Sequence, residues 1–135
     1  MIWMAPLHGI TDYTFRNIYA VFFPNIDIAL APFVSITSTE KERVQKFFDF
    51  FPENNKNLEI VPQIMANKSE QLLLASQILH SLNYKSMNWN MGCPSTQVTK
   101  HGRGAGLLKN ISQIDQILND YFQNTNFQLN IKIRI

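Results

Sequence analysis

Apolar residues along this chain fall into two kinds of run. Strand-like stretches lie at Ile2–Ala5, Ile28–Val34, Leu58–Met65, Ser86–Met91 and Leu129–Ile135. Between them, apolar positions recur at helical spacing. Thr11 can cap a first helix carrying Phe15, Ile18, Tyr19 and Phe22. Thr37 and Glu40 form a capping-box pattern ahead of Val44, Phe47, Phe48 and Phe51. Asn67 is the candidate cap of a third helix, with Glu70 three residues on and Leu72, Ala75, Ile78, Leu79 and Leu82 as its buried stripe. Ser112 can start a fourth, where Ile114, Ile117, Leu118 and Tyr121 repeat along one face. Pro52–Asn57 reads as a polar loop.

Strand then helix, four times over and closed by a fifth strand, implies a parallel α/β sheet. Right-handed crossovers place the helices on one side of a curving sheet, as in a barrel. A doubly wound open sheet satisfies the same periodicity. Length adds a bound, since a complete (β/α)8 barrel needs roughly 250 residues and this chain has 135. Its last strand, IKIRI, has no helix after it. A barrel stopped there leaves an unpaired parallel edge that invites self-association. The expectation is therefore the N-terminal part of a longer protein, truncated after the fifth strand.

Composition narrows the class. With 45% hydrophobic and 16% charged residues the chain is globular rather than disordered. A net charge of +2 is too small to argue for nucleic acid by itself. No apolar run approaches the ~20 residues of a membrane span, and MIWMAPLHG lacks the basic region of a signal peptide. The single cysteine fits a reducing compartment, so a cytoplasmic location is expected.

Candidate chemistry concentrates between Met87 and Leu108. Met87, Trp89 and Met91 alternate with Asn88 and Asn90, and the strand stops at Gly92. Pro94 cannot continue a central strand, so Cys93 stands where the strand opens into a loop. In β/α proteins that end of a strand is where chemistry is done. A lone cysteine is more often a small buried hydrophobe; its Gly and Pro neighbours suit a core poorly, and both roles stay open. Gly102, Gly104 and Gly106 make a flexible loop, but their spacing is not a dinucleotide fingerprint. Lys100, His101, Arg103 and Lys109 surround the loop and could meet phosphates or simply face water. His101 has no second ligand at metal-binding spacing, so no metal is expected. Lys132 and Arg134 alternate with three isoleucines. In a parallel barrel the isoleucines face the helices and the charges point inward, where a lysine needs an anionic partner.

Four segments, MAPLHGITDYTFR, VPQIMAN, NMGCPS with VTKHGRGAGLL, and IKIRI, resemble in order the motifs of the tRNA-dihydrouridine synthases. His8 stands where that family commonly has Glu or Gln, and Leu7 where Met is common. The resemblance implies a TIM barrel that binds FMN, is reduced by NADPH and acts on uridine in tRNA. It assigns hydride transfer from FMN to C6 and proton donation to C5 by Cys93. A thiol, with a reference pKa of ~8.5, is mostly protonated near neutrality and suits that role. Gln63 and Lys132 are implied as flavin contacts, Pro6 as a shape element beside the ring, and Asn90 as a uracil or flavin contact. Arg134 is assigned more loosely to either, and Lys100 and Arg103 to tRNA. The FMN phosphate loops and a helical tRNA-binding domain would lie beyond the fifth strand. Two alternatives remain beside it: a flavin-dependent reductase of free pyrimidines, or a non-catalytic product that associates with another chain.

Overall fold

The computed structural model describes residues 1–36 and 44–134. Its strands are Trp3–Met4 (β1), Ile28–Leu30 (β2), Val34–Ser35 (β3), Glu59–Val61 (β4), Gln63–Met65 (β5), Ser86–Met91 (β6) and Gln128–Ile133 (β7). The α-helices are Tyr13–Phe22 (α1), Ser69–Ser81 (α2), Thr96–Thr99 (α3) and Ile111–Asn124 (α4). Short 3-10 helices occupy Val44–Phe50, Pro52–Asn54 and Gly104–Lys109, so the expected polar loop is partly ordered into a turn of helix.

Every strand pair is parallel, in the orders β1-β2-β4 and β3-β5-β6-β7. Two of the expected strands are each split in half. Pro62 separates β4 from β5, and Ala31, Pro32 and Phe33 separate β2 from β3. Proline has no N–H for a ladder, so each break falls where one is missing. Hydrogen bonds from Ala31 N–H to the Val61 carbonyl (3.0 Å) and from Asn88 N–H to the Pro62 carbonyl (2.8 Å) carry pairing across the breaks. The five expected strands thus lie side by side in sequence order. That order never reverses, which excludes the doubly wound alternative and makes the fold an arc of a parallel α/β barrel.

Helices α2 and α4 pack on each other, and α2 packs on β6. Met87, Trp89 and Met91 of β6 join Leu72, Leu79, Ile117 and Tyr121 in this core. Trp89 satisfies its ring N–H on the Ala66 carbonyl at 3.0 Å. The other parity of β6 is left to Asn88 and Asn90.

Three caps differ from expectation, and for Thr11 and Asn67 another partner claims the side chain. Asp12, not Thr11, caps α1 by accepting the Phe15 N–H at 2.9 Å, while the Thr11 hydroxyl closes the turn at Leu7. Asn67 precedes the Lys68 cap of α2 and donates instead to the His101 carbonyl. Asn110, two residues before Ser112, caps α4 by accepting the Gln113 N–H. Thr37 and Glu40 lie outside the described residues. The helix expected after them is a 3-10 helix that buries Phe47 and Phe50.

The apolar positions of α1 are not a buried stripe: Ile18 is 56% and Phe22 72% exposed. Arg16 is the buried residue of α1. Its guanidinium pairs with Asp49 at 2.9 Å and donates to the Thr11 and Asp49 carbonyls and the Asn55 side chain. A charge-assisted network thus anchors this helix alongside the packing of Tyr19 and Ala20 against the core. At the far edge of the arc, Ile131 and Ile133 of β7 are exposed.

Candidate active site

Register places Gln63 beside Asn88, Asn88 beside Asn130, and Asn90 beside Lys132 on one face of neighbouring strands. Gln63, Asn88 and Asn90 are all buried. Their amides form a directed row. Gln63 Nε2 donates to Asn88 Oδ1 (2.8 Å) and Asn90 Nδ2 donates to Gln63 Oε1 (2.7 Å). Asn90 Oδ1 then accepts the backbone N–H groups of Gly92 (3.1 Å) and Cys93 (3.0 Å). Each link fixes which end of the next amide is oxygen. One N–H of Gln63 and one of Asn90 remain outside these bonds.

Cys93 is half-buried at the carboxyl end of β6, and its carbonyl accepts the Ala105 N–H at 2.9 Å. Gly104 makes that closure possible. It holds φ of +54°, and a Cβ there would lie 2.7 Å from the Cys93 carbonyl oxygen. Gly92 is confined less tightly: a Cβ would meet the Ile133 backbone at 3.2 Å and Lys132 Nζ at 3.4 Å. Arg134 Nε donates to the Gly92 carbonyl at 3.1 Å. The cysteine loop is therefore held from below by Asn90, from the side by β7 and from above by its own glycine turn.

Lys132 is half-buried and forms no ion pair with a carboxylate among the described residues. Pro6 follows β1, in the other ladder, and stands apart from the amide row. Lys100 is exposed just after α3. Arg103 is half-buried and lines a cleft with Asn67, Lys68, Gln71 and His101. Sequence reasoning did not single out Asn88 or Lys68. The alternation along β6 could have flagged Asn88, since Asn90 shares its parity. Among the described residues no three His, Cys, Asp or Glu side chains are grouped as metal ligands, and no helix is long and apolar enough to cross a membrane.

Parallel strands, reactive groups at their carboxyl ends and a row of buried amides beneath a half-buried thiol define the working end of a β/α barrel. The chain belongs to the dihydrouridine synthase (Dus) family, whose model matches residues 3–135. It is 29% identical over 143 residues to a "Probable tRNA-dihydrouridine synthase" of Helicobacter pylori (strain J99), an alignment covering 99% of this chain and 40% of that protein. A "Probable tRNA-dihydrouridine synthase" of Staphylococcus aureus (strain COL) is 29% identical over 112 residues, covering 78% of this chain and 32% of the relative. The chain thus spans 40% or less of the length of these curated relatives.

Proposed function

We propose that the protein reduces uridine in tRNA to 5,6-dihydrouridine, with FMN as cofactor and NADPH as reductant, in the cytoplasm. This chain would be the N-terminal part of the flavin-binding barrel. The observation that carries the proposal is Cys93, clamped between Asn90 and Ala105 beside the amide row and Lys132.

The residues present fit a flavin ring. Such a ring offers carbonyl oxygens and ring nitrogens along one edge, and the spare N–H groups of Gln63 and Asn90 are donors for them. Lys132, without a carboxylate partner, suits an edge that becomes negative on reduction. FMN, when bound, supplies the hydride for C6 of uracil, which no side chain can provide. Cys93 delivers the proton to C5, and Asn90 holds the loop that aims the thiol. Arg134 steadies the same loop through the Gly92 carbonyl, with the rest of its guanidinium left for flavin or uracil. Pro6 shapes the opposite wall, and Lys100 and Arg103 meet tRNA phosphates.

The test is mass-spectrometric mapping of dihydrouridine in tRNA from a deletion strain. Loss at defined positions, restored by the protein, is expected. Unchanged dihydrouridine at every position, in a strain with no second family member, refutes it. Turnover of free uracil with none on tRNA would move the assignment to a pyrimidine reductase.

A further inference from the structure

We propose that the cleft between the β5–α2 turn and the cysteine loop is a phosphate-binding site that takes a backbone phosphodiester of the RNA substrate. It rests on the reading above that the substrate is RNA. The cleft encloses about 450 Å3 and is lined by Asn67, Lys68, Gln71, His101 and Arg103. No carboxylate is among these residues.

Its polar groups divide into two sets. The amides hold the walls together: Asn67 N–H donates to Gln71 Oε1, Asn67 Nδ2 to the His101 carbonyl, and Gln113 Nε2 to the Asn67 carbonyl, each at 2.9 Å. The cations are left over. Arg103 Nε is fully buried and has no hydrogen-bond partner. That nitrogen is closed off from solvent, and it is the rest of the half-buried Arg103 side chain that lines the cleft. Arg103 and Lys68 thus bring positive charge to a lining with no carboxylate to answer it. A phosphate offers several acceptor oxygens to a planar guanidinium fork and a point charge to Lys68. The cap of α2 at Lys68 has no side-chain hydrogen bond, so the positive end of that helix adds to the same field.

Position selects the source of the phosphate. Arg103 lies two residues before Ala105, whose N–H holds the Cys93 carbonyl, and His101 is tied to the residue that follows β5 and Ala66. An anion in the cleft therefore sits against the loop that carries the thiol. A nucleotide next to the reduced base would put its phosphate there. The phosphates of a nicotinamide cofactor share this chemistry and are the competing source.

The experiment uses the full-length flavin-loaded protein and an unmodified tRNA transcript, with binding measured across a salt series. Arg103→Ala should weaken tRNA binding about tenfold at low salt and make the log–log salt slope shallower by about 1. Lys68→Ala, a surface change that leaves the loop intact, should weaken it about threefold. Arg103→Lys should recover part of the loss. Flavin content and the melting midpoint check that each variant folds. Wild-type affinity and slope in both alanine variants would overturn the proposal. So would a raised KM for NADPH with tRNA affinity unchanged, which assigns the cleft to the dinucleotide. Wild-type protein that fails to bind tRNA at all overturns the functional assignment itself, a distinct result.

Discussion

The side-chain oxygen of Asn90 accepts the backbone N–H of Cys93 at 3.0 Å, so a buried strand residue sets the angle at which the chain leaves β6. The same oxygen takes the Gly92 N–H, and the amide nitrogen is committed to Gln63. The thiol is thereby aimed by side chains from two strands rather than by its own loop alone.

Replacing Cys93 with Ala removes the proposed proton donor and leaves the amide row and Lys132 untouched. Dihydrouridine formation by the full-length protein should fall by roughly 10²-fold or more, the usual scale for a general acid, with flavin content retained. Single-turnover reduction of a tRNA transcript measures it. A rate within a few-fold of wild type would exclude the proton-donor role.

Asn90→Asp keeps the oxygen that accepts from Gly92 and Cys93 but sets a second carboxylate oxygen against Gln63 Oε1. Asn90→Ala loses the whole connection and leaves two N–H groups and one carbonyl without partners. Each buried orphan costs about 1–3 kcal/mol, so the alanine variant should lose stability as well as rate. Urea titration separates these effects. Equal urea midpoints for wild type and Asn90→Ala would mean the amide row holds nothing in place.

Gly104→Ala tests the closure above the thiol. The added methyl would meet the Cys93 carbonyl oxygen at 2.7 Å, and φ of +54° disfavours alanine. Turnover should drop sharply, by more than any loss of tRNA affinity through the neighbouring Arg103. The check is kcat and Kd measured side by side, and an undisturbed kcat would show that the glycine turn does not position Cys93.

Arg16 is 1% exposed and bridges α1 to the segment containing Asp49 and Asn55. Arg16→Ala removes the guanidinium from Asp49, which is 25% exposed and keeps the Tyr13 N–H, and should destabilise the fold by about 3 kcal/mol, the low end for a broken buried pair. Arg16→Lys should recover less than half, since a point charge cannot reproduce the fork. Denaturant midpoints decide this; an unchanged midpoint in the alanine variant would leave α1 anchored by something else.

Burial raises the phenols of Tyr84 and Tyr121 from the ordinary 10 to about 12. Their folded pKa lies above the unfolded one, so the stability tied to the neutral phenols is complete below pH 10 and is lost as pH rises toward 12. Both should ionise only as structure is lost, seen by tyrosinate absorbance followed together with circular dichroism. In the Tyr84→Phe variant the alkaline transition should move to higher pH. Early ionisation of both tyrosines with structure intact would contradict the burial.

The strands were legible from apolar alternation, but their order was not, since a doubly wound sheet satisfies the same periodicity and only the family resemblance pointed to a barrel. Pro62 was visible in the sequence, and only the ladder shows that it cuts a strand in two. The caps were misplaced by one or two residues because the Thr11 hydroxyl closes the turn at Leu7 and Asn67 reaches His101, 34 residues on, which no local pattern encodes. Arg16 sat in a recognisable motif, yet its partners lie 33 and 39 residues away. Gln63 and Asn90 could be named singly from the motifs. That they form one chain with Asn88 depends on strands 25 and 27 residues apart.

The breaks at Pro62 and at Ala31–Phe33 fall at matching heights on adjacent strands, with three residues on one strand facing two on the other between the Leu30–Val61 and Val34–Ile64 pairs. The arc is thus two hydrogen-bonded ladders that meet along a crease. Gln63, Asn88, Asn90 and Lys132 belong to one, and Pro6 follows the other. A rearrangement confined to the crease would break no hydrogen bond within the amide row, because its members all lie in one ladder.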